Sequence, residues 1–125
     1  MRALLVTGVL SIVIGIAAAV FSTNYYSMAA DGMENSDRNL TIAKEALDAA
    51  GRYPESDPKQ NAEVQKAADF KGFAESDLNW HDENIDVAAV LTVVSVVAVL
   101  AGAIVLVVRR RRRTRDQRTD IQTTP

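Results

Sequence analysis

The amino-acid sequence predicts an all-α integral membrane protein with two transmembrane helices joined by an acidic, helical segment outside the cytoplasm. Two long runs without charged side chains, an acidic stretch with helically spaced apolar residues, and a run of arginines predict this arrangement. The predicted regions are a transmembrane helix over 1–22, an acidic extracytoplasmic loop over 23–86, a second transmembrane helix over 87–108 and a basic, disordered cytoplasmic tail over 109–125. The loop is expected to contain a helical hairpin and short helices.

The second apolar run is the clearest element. Val87–Val108 holds 22 residues without a charge, and its only polar side chains are Thr92 and Ser95. At about 1.5 Å per residue, a helix of this length spans roughly 33 Å, enough for a hydrocarbon core of about 30 Å. Arg109–Arg113 follow at once, and positive charge of this kind stays on the cytoplasmic side.

The first apolar run, Ala3–Ser22, has two interpretations. A signal peptide would have a positive start, an apolar core of roughly 7–15 residues and a small-residue cleavage site. Arg2 supplies the charge, but the uncharged run of 20 residues is longer than such a core, and the candidate cleavage site Ser27–Ala29 lies well past it. An uncleaved transmembrane helix is therefore favoured over a cleaved signal peptide. The middle segment has the same location in both cases.

Charge is distributed unevenly along the chain and sets the expected orientation. Residues 23–86 carry 14 acidic and 6 basic side chains, a net charge of −8, whereas residues 109–125 carry a net charge of +5. The positive-inside bias predicts a multi-pass protein of the plasma membrane with both termini in the cytoplasm and the acidic segment on the other side. The chain has no cysteine, so this segment has no disulfide.

Two helices are predicted within the acidic segment. The polar stretch Asp31–Asp37 predicts a loop, and helical spacing then predicts a helix over 38–50. Gly51 is expected to end that helix in a left-handed conformation. The next helix is expected to begin with Asp57 as its N-cap and Pro58 at its first position.

The end of this next helix leaves an alternative open. Its apolar spacing continues to about Leu78. Residues 79–86 then either form a short polar link or continue the helix directly into the second transmembrane helix. The sequence does not distinguish the two.

The acidic segment has too few large apolar residues for an independent core. Segments below about 70–80 residues without disulfides or metals rarely bury enough apolar surface. We therefore expect it to rest on the membrane, on a second copy of the chain or on a partner protein. Its bulky aromatic residues are the candidate partner contacts, namely Phe70, Phe73 and Trp80.

Small residues follow one face of each apolar run. Helices in lipid associate by close approach of their backbones, which small residues permit. The two helices are expected to pack on each other, and the alternative is that these faces serve self-association or a larger complex. The candidate helix-packing residues are Gly8, Ser11, Gly15, Ala19, Ala98 and Gly102.

The arginine cluster is expected to orient the second helix and to contact anionic lipid headgroups. A basic side chain next to an anionic membrane surface gains about 1 kcal/mol. Nucleic-acid binding is not expected, because no aromatic or folded module accompanies the arginines. The cluster consists of Arg109, Arg110, Arg111, Arg112 and Arg113.

No residue pattern indicates an enzyme, a cofactor or a small-molecule substrate. His81 is the single histidine, and with Asp77 four residues before it, the pair lacks the three or four convergent ligands of a metal site. No nucleophile–base spacing and no glycine-rich phosphate loop occur. Neither apolar run carries an ionisable side chain, which argues against a transporter acting alone.

The sequence therefore predicts a non-enzymatic accessory or interaction subunit of a membrane assembly, or a homo-oligomer. The layout, with two membrane helices and both ends inside, resembles that of small membrane proteins such as some holins. A pore- or lesion-forming role is therefore the alternative.

Overall fold

A computed structural model describes the backbone of residues 2–122 and the side chains of residues 2–117. It contains two helices: α1 spans Arg2–Ala50 (49 residues) and α2 spans Pro58–Gln122 (65 residues). No strand occurs within the described range, so the all-helical class is confirmed. Each helix contains a stretch long and apolar enough to cross a membrane.

The segment between the helices is short and is held by local hydrogen bonds. The Gly51 N–H donates to the Leu47 carbonyl at 3.1 Å, and the N–H groups of Arg52 and Tyr53 donate to carbonyls three residues earlier. None of the described glycines has a positive φ, so the prediction of a left-handed Gly51 is wrong. These hydrogen bonds between residues three positions apart tighten the last turn of α1. They satisfy terminal carbonyl groups that the N–H groups of a left-handed cap would otherwise satisfy.

The start of α2 agrees with its sequence signal. The Asp57 carboxylate accepts a hydrogen bond from the Lys59 N–H at 2.9 Å. Pro58 is the first helical residue, where its missing N–H costs nothing. The predicted N-cap and first helical position are therefore confirmed.

The predicted loop over Asp31–Asp37 is wrong, because α1 is helical throughout this stretch. The Ser36 hydroxyl donates to the Ala74 carbonyl at 3.0 Å, and Gly32 lies against the backbone of α2 at Asp77. Small and polar residues have low helix propensity, but packing against a second helix overrides that preference. Of the two alternatives for residues 79–86, the structure has the continuous helix.

The chain divides into two compact units. The first, here called the apolar unit, contains Met1–Thr23 and Ala88–Pro125, and the second, the acidic unit, contains Asn24–Val87. Within each unit a segment of α1 lies antiparallel to a segment of α2, as the contacts below establish.

Within each unit the residues buried between the helices are small, and we call this contact the seam. Every buried apolar residue in the described part is an alanine, and no large side chain is fully buried. Buried positions recur every seven residues on α1 and at intervals of seven or fourteen residues on α2, which is the repeat of a coiled coil. On α1 they include Gly8, Gly15, Ser22, Ala29, Ser36, Ala43 and Ala50, and on α2 they include Ala67, Ala74, Ala88 and Gly102.

Candidate functional site

The glycines of the apolar unit lie where the two helices approach most closely. A Cβ added to Gly102 would lie 2.6 Å from the Gly8 carbonyl oxygen and 2.7 Å from a side-chain carbon of Ile12. A Cβ added to Gly15 would lie 2.9 Å from the Ser95 carbonyl oxygen. Real side chains do not approach atoms this closely, so only glycine fits at these two positions without movement of a helix.

The predicted helix-packing residues do not all lie in the seam. Gly8, Gly15 and Gly102 are buried, and Ser11 and Ala98 are half-buried. Ala19 is exposed, and the buried position next to it is Ala18. The buried positions are spaced by three and four residues within a seven-residue repeat, whereas Ser11, Gly15 and Ala19 were predicted from a uniform spacing of four. The role of these residues within a bilayer stays a prediction.

A cluster of hydroxyl groups crosses the seam of the apolar unit. The Ser22 and Thr92 hydroxyl oxygens lie 3.0 and 2.9 Å from the Ala88 carbonyl oxygen, and 2.7 Å from each other. Each hydroxyl has one proton, so at any moment two of the three contacts are donated. The cluster joins α1 to α2 within an otherwise apolar contact.

Polar side chains also join the helices in the acidic unit. The Asn39 amide donates to the Asp77 carboxylate at 2.8 Å. His81 Nδ1 lies 2.7 Å from the Ala29 carbonyl oxygen and donates to it, because a carbonyl oxygen accepts only. Asp77 and His81, considered above as metal ligands, are therefore engaged in helix packing.

Most large apolar side chains of the acidic unit are exposed outside the seam, on its two flanks. On one flank they recur every seven residues along both helices, and we call this row the heptad face. Their exposed fractions range from 36% to 56%. The heptad face consists of Tyr26, Met33, Leu40 and Leu47 on α1 with Val64, Leu78 and Ile85 on α2.

A groove lies on the heptad face. Its volume is about 410 Å³ and its surface is almost entirely apolar. Leu40 and Leu47 contribute one wall and Val64 the other, while Lys44 and Lys71 lie at its edge. The groove therefore shows that large side chains of α1 and α2 lie side by side on this flank.

The second flank carries the aromatic residues predicted as partner contacts, and we call Phe73 and Trp80 the aromatic face. Phe73 is 56% exposed and Trp80 is 49% exposed. Phe70 is half-buried and its ring meets that of Phe73 edge to face, with 5.6 Å between the centroids. Trp80 also reaches across to Gly32 on α1. The structure thus brings Phe70 and Phe73 together and leaves about half of the Phe73 and Trp80 surfaces exposed.

The arginine cluster lies on the continuous helix α2. Arg110–Arg113 are exposed, whereas Arg109 is half-buried and its Nε has no hydrogen-bond partner among the described residues. Arg111 and Arg112 line a surface groove of about 550 Å³. Guanidinium groups form charge-assisted hydrogen bonds with phosphate oxygens. The predicted disordered tail is helical as far as Gln122, and the remaining residues lie outside the described range.

The features found among the described residues are surfaces that expose apolar, aromatic and basic side chains. No group of three or more metal-ligating side chains occurs among them. No protein-family model matches the chain, and no curated protein or solved structure is significantly similar to it.

Proposed function

We propose that the protein is a non-enzymatic interaction subunit of a membrane assembly, held in the plasma membrane by two transmembrane helices. The observation that carries this proposal is the location of the large apolar side chains. Most of them are exposed outside the seam, and none of those described is fully buried. Since the chain does not cover them, the bilayer and a partner protein are the surfaces proposed to do so.

The apolar unit is proposed to lie in the bilayer. Val90, Val93, Val97, Leu100 and Ile104 are each more than half exposed. Removing such side chains from water gains about 25 cal/mol per Å², and a hydrocarbon core supplies that environment. The hydroxyl groups of Ser22 and Thr92 are satisfied within the helix pair, as lipid requires.

The proposed orientation follows from charge. Arg109–Arg113 remain in the cytoplasm, where the positive-inside bias retains them. The acidic unit then lies outside and both termini lie inside. In this orientation the arginines reach the anionic headgroups of the inner leaflet.

The aromatic face is proposed as the contact for a partner membrane protein. Exposed tryptophan is over-represented among residues that dominate binding energy, and the exposed Phe73 lies two turns from Trp80 on the same flank. The segment around them has a net charge of −8. A partner with an apolar pocket and a basic rim therefore fits this face best.

Site-specific photo-crosslinking in the native membrane tests this proposal. A photoreactive residue replaces Trp80 or Phe73 in the full-length chain, and the same residue at exposed Thr41 on α1 is the matched control. We expect mass spectrometry to identify one membrane protein captured from Trp80 and Phe73 and not from Thr41. Equal capture at all three positions, or none, contradicts the proposal.

The pore-forming alternative lacks a supporting observation among the described residues. A water-filled pore needs polar groups that face its lumen. Here Ser22 and Thr92 bond to each other, and Thr7 bonds to the carbonyl of its own helix at Ala3.

A further inference from the structure

We propose that the heptad face binds the heptad face of a second copy, so that two acidic units form an antiparallel four-helix bundle. This inference rests on the proposed two-pass topology and names one partner of the proposed interaction subunit. It concerns the flank opposite the aromatic face, so the two contacts are separable by experiment.

The spacing of the exposed side chains indicates a helical partner. On α1 they recur at every seventh position, and on α2 the same repeat is interrupted only by Lys71. Each helix has a row of small residues in the seam and, beside it, a row of large residues at seven-residue intervals. This pattern is expected of a helix that packs against two other helices. The seam accounts for one neighbour of each helix, and the heptad face predicts the other.

The size of the heptad face suits a dimer. At roughly 90 Å² for a half-exposed large side chain, its seven apolar residues present about 600 Å² per copy. Two copies would therefore bury about 1,200 Å² in total, above the roughly 1,000 Å² of a specific interface. The same contact would give the acidic unit the layers of large apolar side chains that its alanine seam lacks.

Symmetry favours a second copy over an unrelated helix pair. Two copies inserted in one membrane have the same orientation. A two-fold axis along the membrane normal therefore places each residue of the heptad face at the same height as its equivalent in the second copy. Leu47 and Val64 line the groove from opposite helices, and two copies would join them into an apolar layer of four side chains.

Lys71 is the one charged residue in the row, and it does not oppose this contact. Its ammonium group lies 3.8 Å from the Glu75 carboxylate on the same helix. It therefore brings a counter-ion with it, while its aliphatic stem covers apolar surface.

The natural absence of cysteine allows a direct test in the full-length protein. Single-cysteine variants Leu40→Cys and Leu78→Cys are treated with a short bifunctional maleimide in native membranes, with Thr41→Cys as the exposed control. We expect several-fold more covalent homodimer from the two heptad-face variants than from Thr41→Cys. Adding Leu47→Glu to Leu78→Cys should abolish the homodimer, whereas adding Phe73→Glu should leave it unchanged.

Circular dichroism of each variant should show retained helicity, because every substituted residue is exposed. Homodimer yields equal to that of Thr41→Cys, or crosslinks from Leu40→Cys to a different protein alone, overturn the proposal. If the probe at Trp80 captures its partner while Leu40→Cys gives no homodimer, the proposed function stands and the four-helix bundle does not. If the homodimer forms and the probe at Trp80 captures nothing, the four-helix bundle stands and the proposed function does not.

Discussion

The hydroxyl oxygens of Ser22 and Thr92 lie 2.7 Å apart and join α1 to α2 across an apolar contact. Interhelical hydrogen bonds of this kind in membranes contribute about 0.6 kcal/mol on average and up to about 1.7 kcal/mol. We expect Ser22→Ala to lower the free energy of unfolding by an amount in this range, measured by denaturant titration in detergent.

Thr23→Ala is the matched control for this prediction. The Thr23 hydroxyl bonds to the Ala19 carbonyl of its own helix, so its loss removes no contact between helices. Ser22→Ala and Thr92→Ala should also be less than additive when combined, because they remove the same cluster. Additive losses would show that the two hydroxyls do not interact.

Two glycines should respond in opposite directions to the same substitution. Gly102→Ala places a methyl group 2.6 Å from the Gly8 carbonyl oxygen and should destabilise the helix pair by about 1–3 kcal/mol. Gly72 has no atom within 4 Å of an added Cβ, so Gly72→Ala should stabilise the helix by roughly 0.5–1 kcal/mol. Thermal unfolding followed by circular dichroism measures both, and a Gly102→Ala variant at least as stable as the unchanged protein would contradict the close approach at Gly102.

Some features of the two helices were predictable from the sequence, whereas others depend on the packing of α1 against α2. The N-cap at Asp57 and the apolar runs were predictable because local chemistry decides them. The helix through Gly32 and Ser36 was missed because both residues favour loops in isolation, and only contact with α2 reverses that preference. The sequence did contain a signal for the continuous helix. Ser22, Ser36 and buried alanines recur at seven-residue intervals along α1.

The candidate surfaces were predictable in part. The aromatic residues were predictable as candidate contacts because they are bulky and share one helical face in an acidic segment. The pairing of Asn39 with Asp77 could not be predicted, because the two residues lie 38 positions apart and their contact depends on how α1 and α2 align. The heptad face depends on the same alignment.

The hydrogen bond between Asn39 and Asp77 permits an exchange experiment. The Asn39 amide donates to the Asp77 carboxylate at 2.8 Å. Asn39→Asp replaces this hydrogen bond with two adjacent carboxylates and should destabilise the acidic unit by about 1.5–3 kcal/mol. Adding Asp77→Asn restores one donor and one acceptor in reversed order and should recover most of the loss. Thermal melting of the single and double variants measures the recovery, and a double variant no more stable than Asn39→Asp would contradict the contact.

The N-cap of α2 should contribute to the stability of the link between the helices. Asp57→Ala removes the acceptor for the Lys59 N–H and should cost about 1 kcal/mol. Asp57→Asn keeps an oxygen acceptor at the same place and should cost little, so it is the control. Unfolding of both variants by chemical denaturant distinguishes the loss of the cap from the loss of a charge.

Membrane topology is the central claim, and single-cysteine accessibility in intact cells tests it most directly. We expect Ser56→Cys, in the link between the helices, to react with a membrane-impermeant maleimide before permeabilisation, and Thr114→Cys to react only afterwards. Labelling of Thr114→Cys in intact cells, or protection of Ser56→Cys until lysis, would contradict the two-pass orientation.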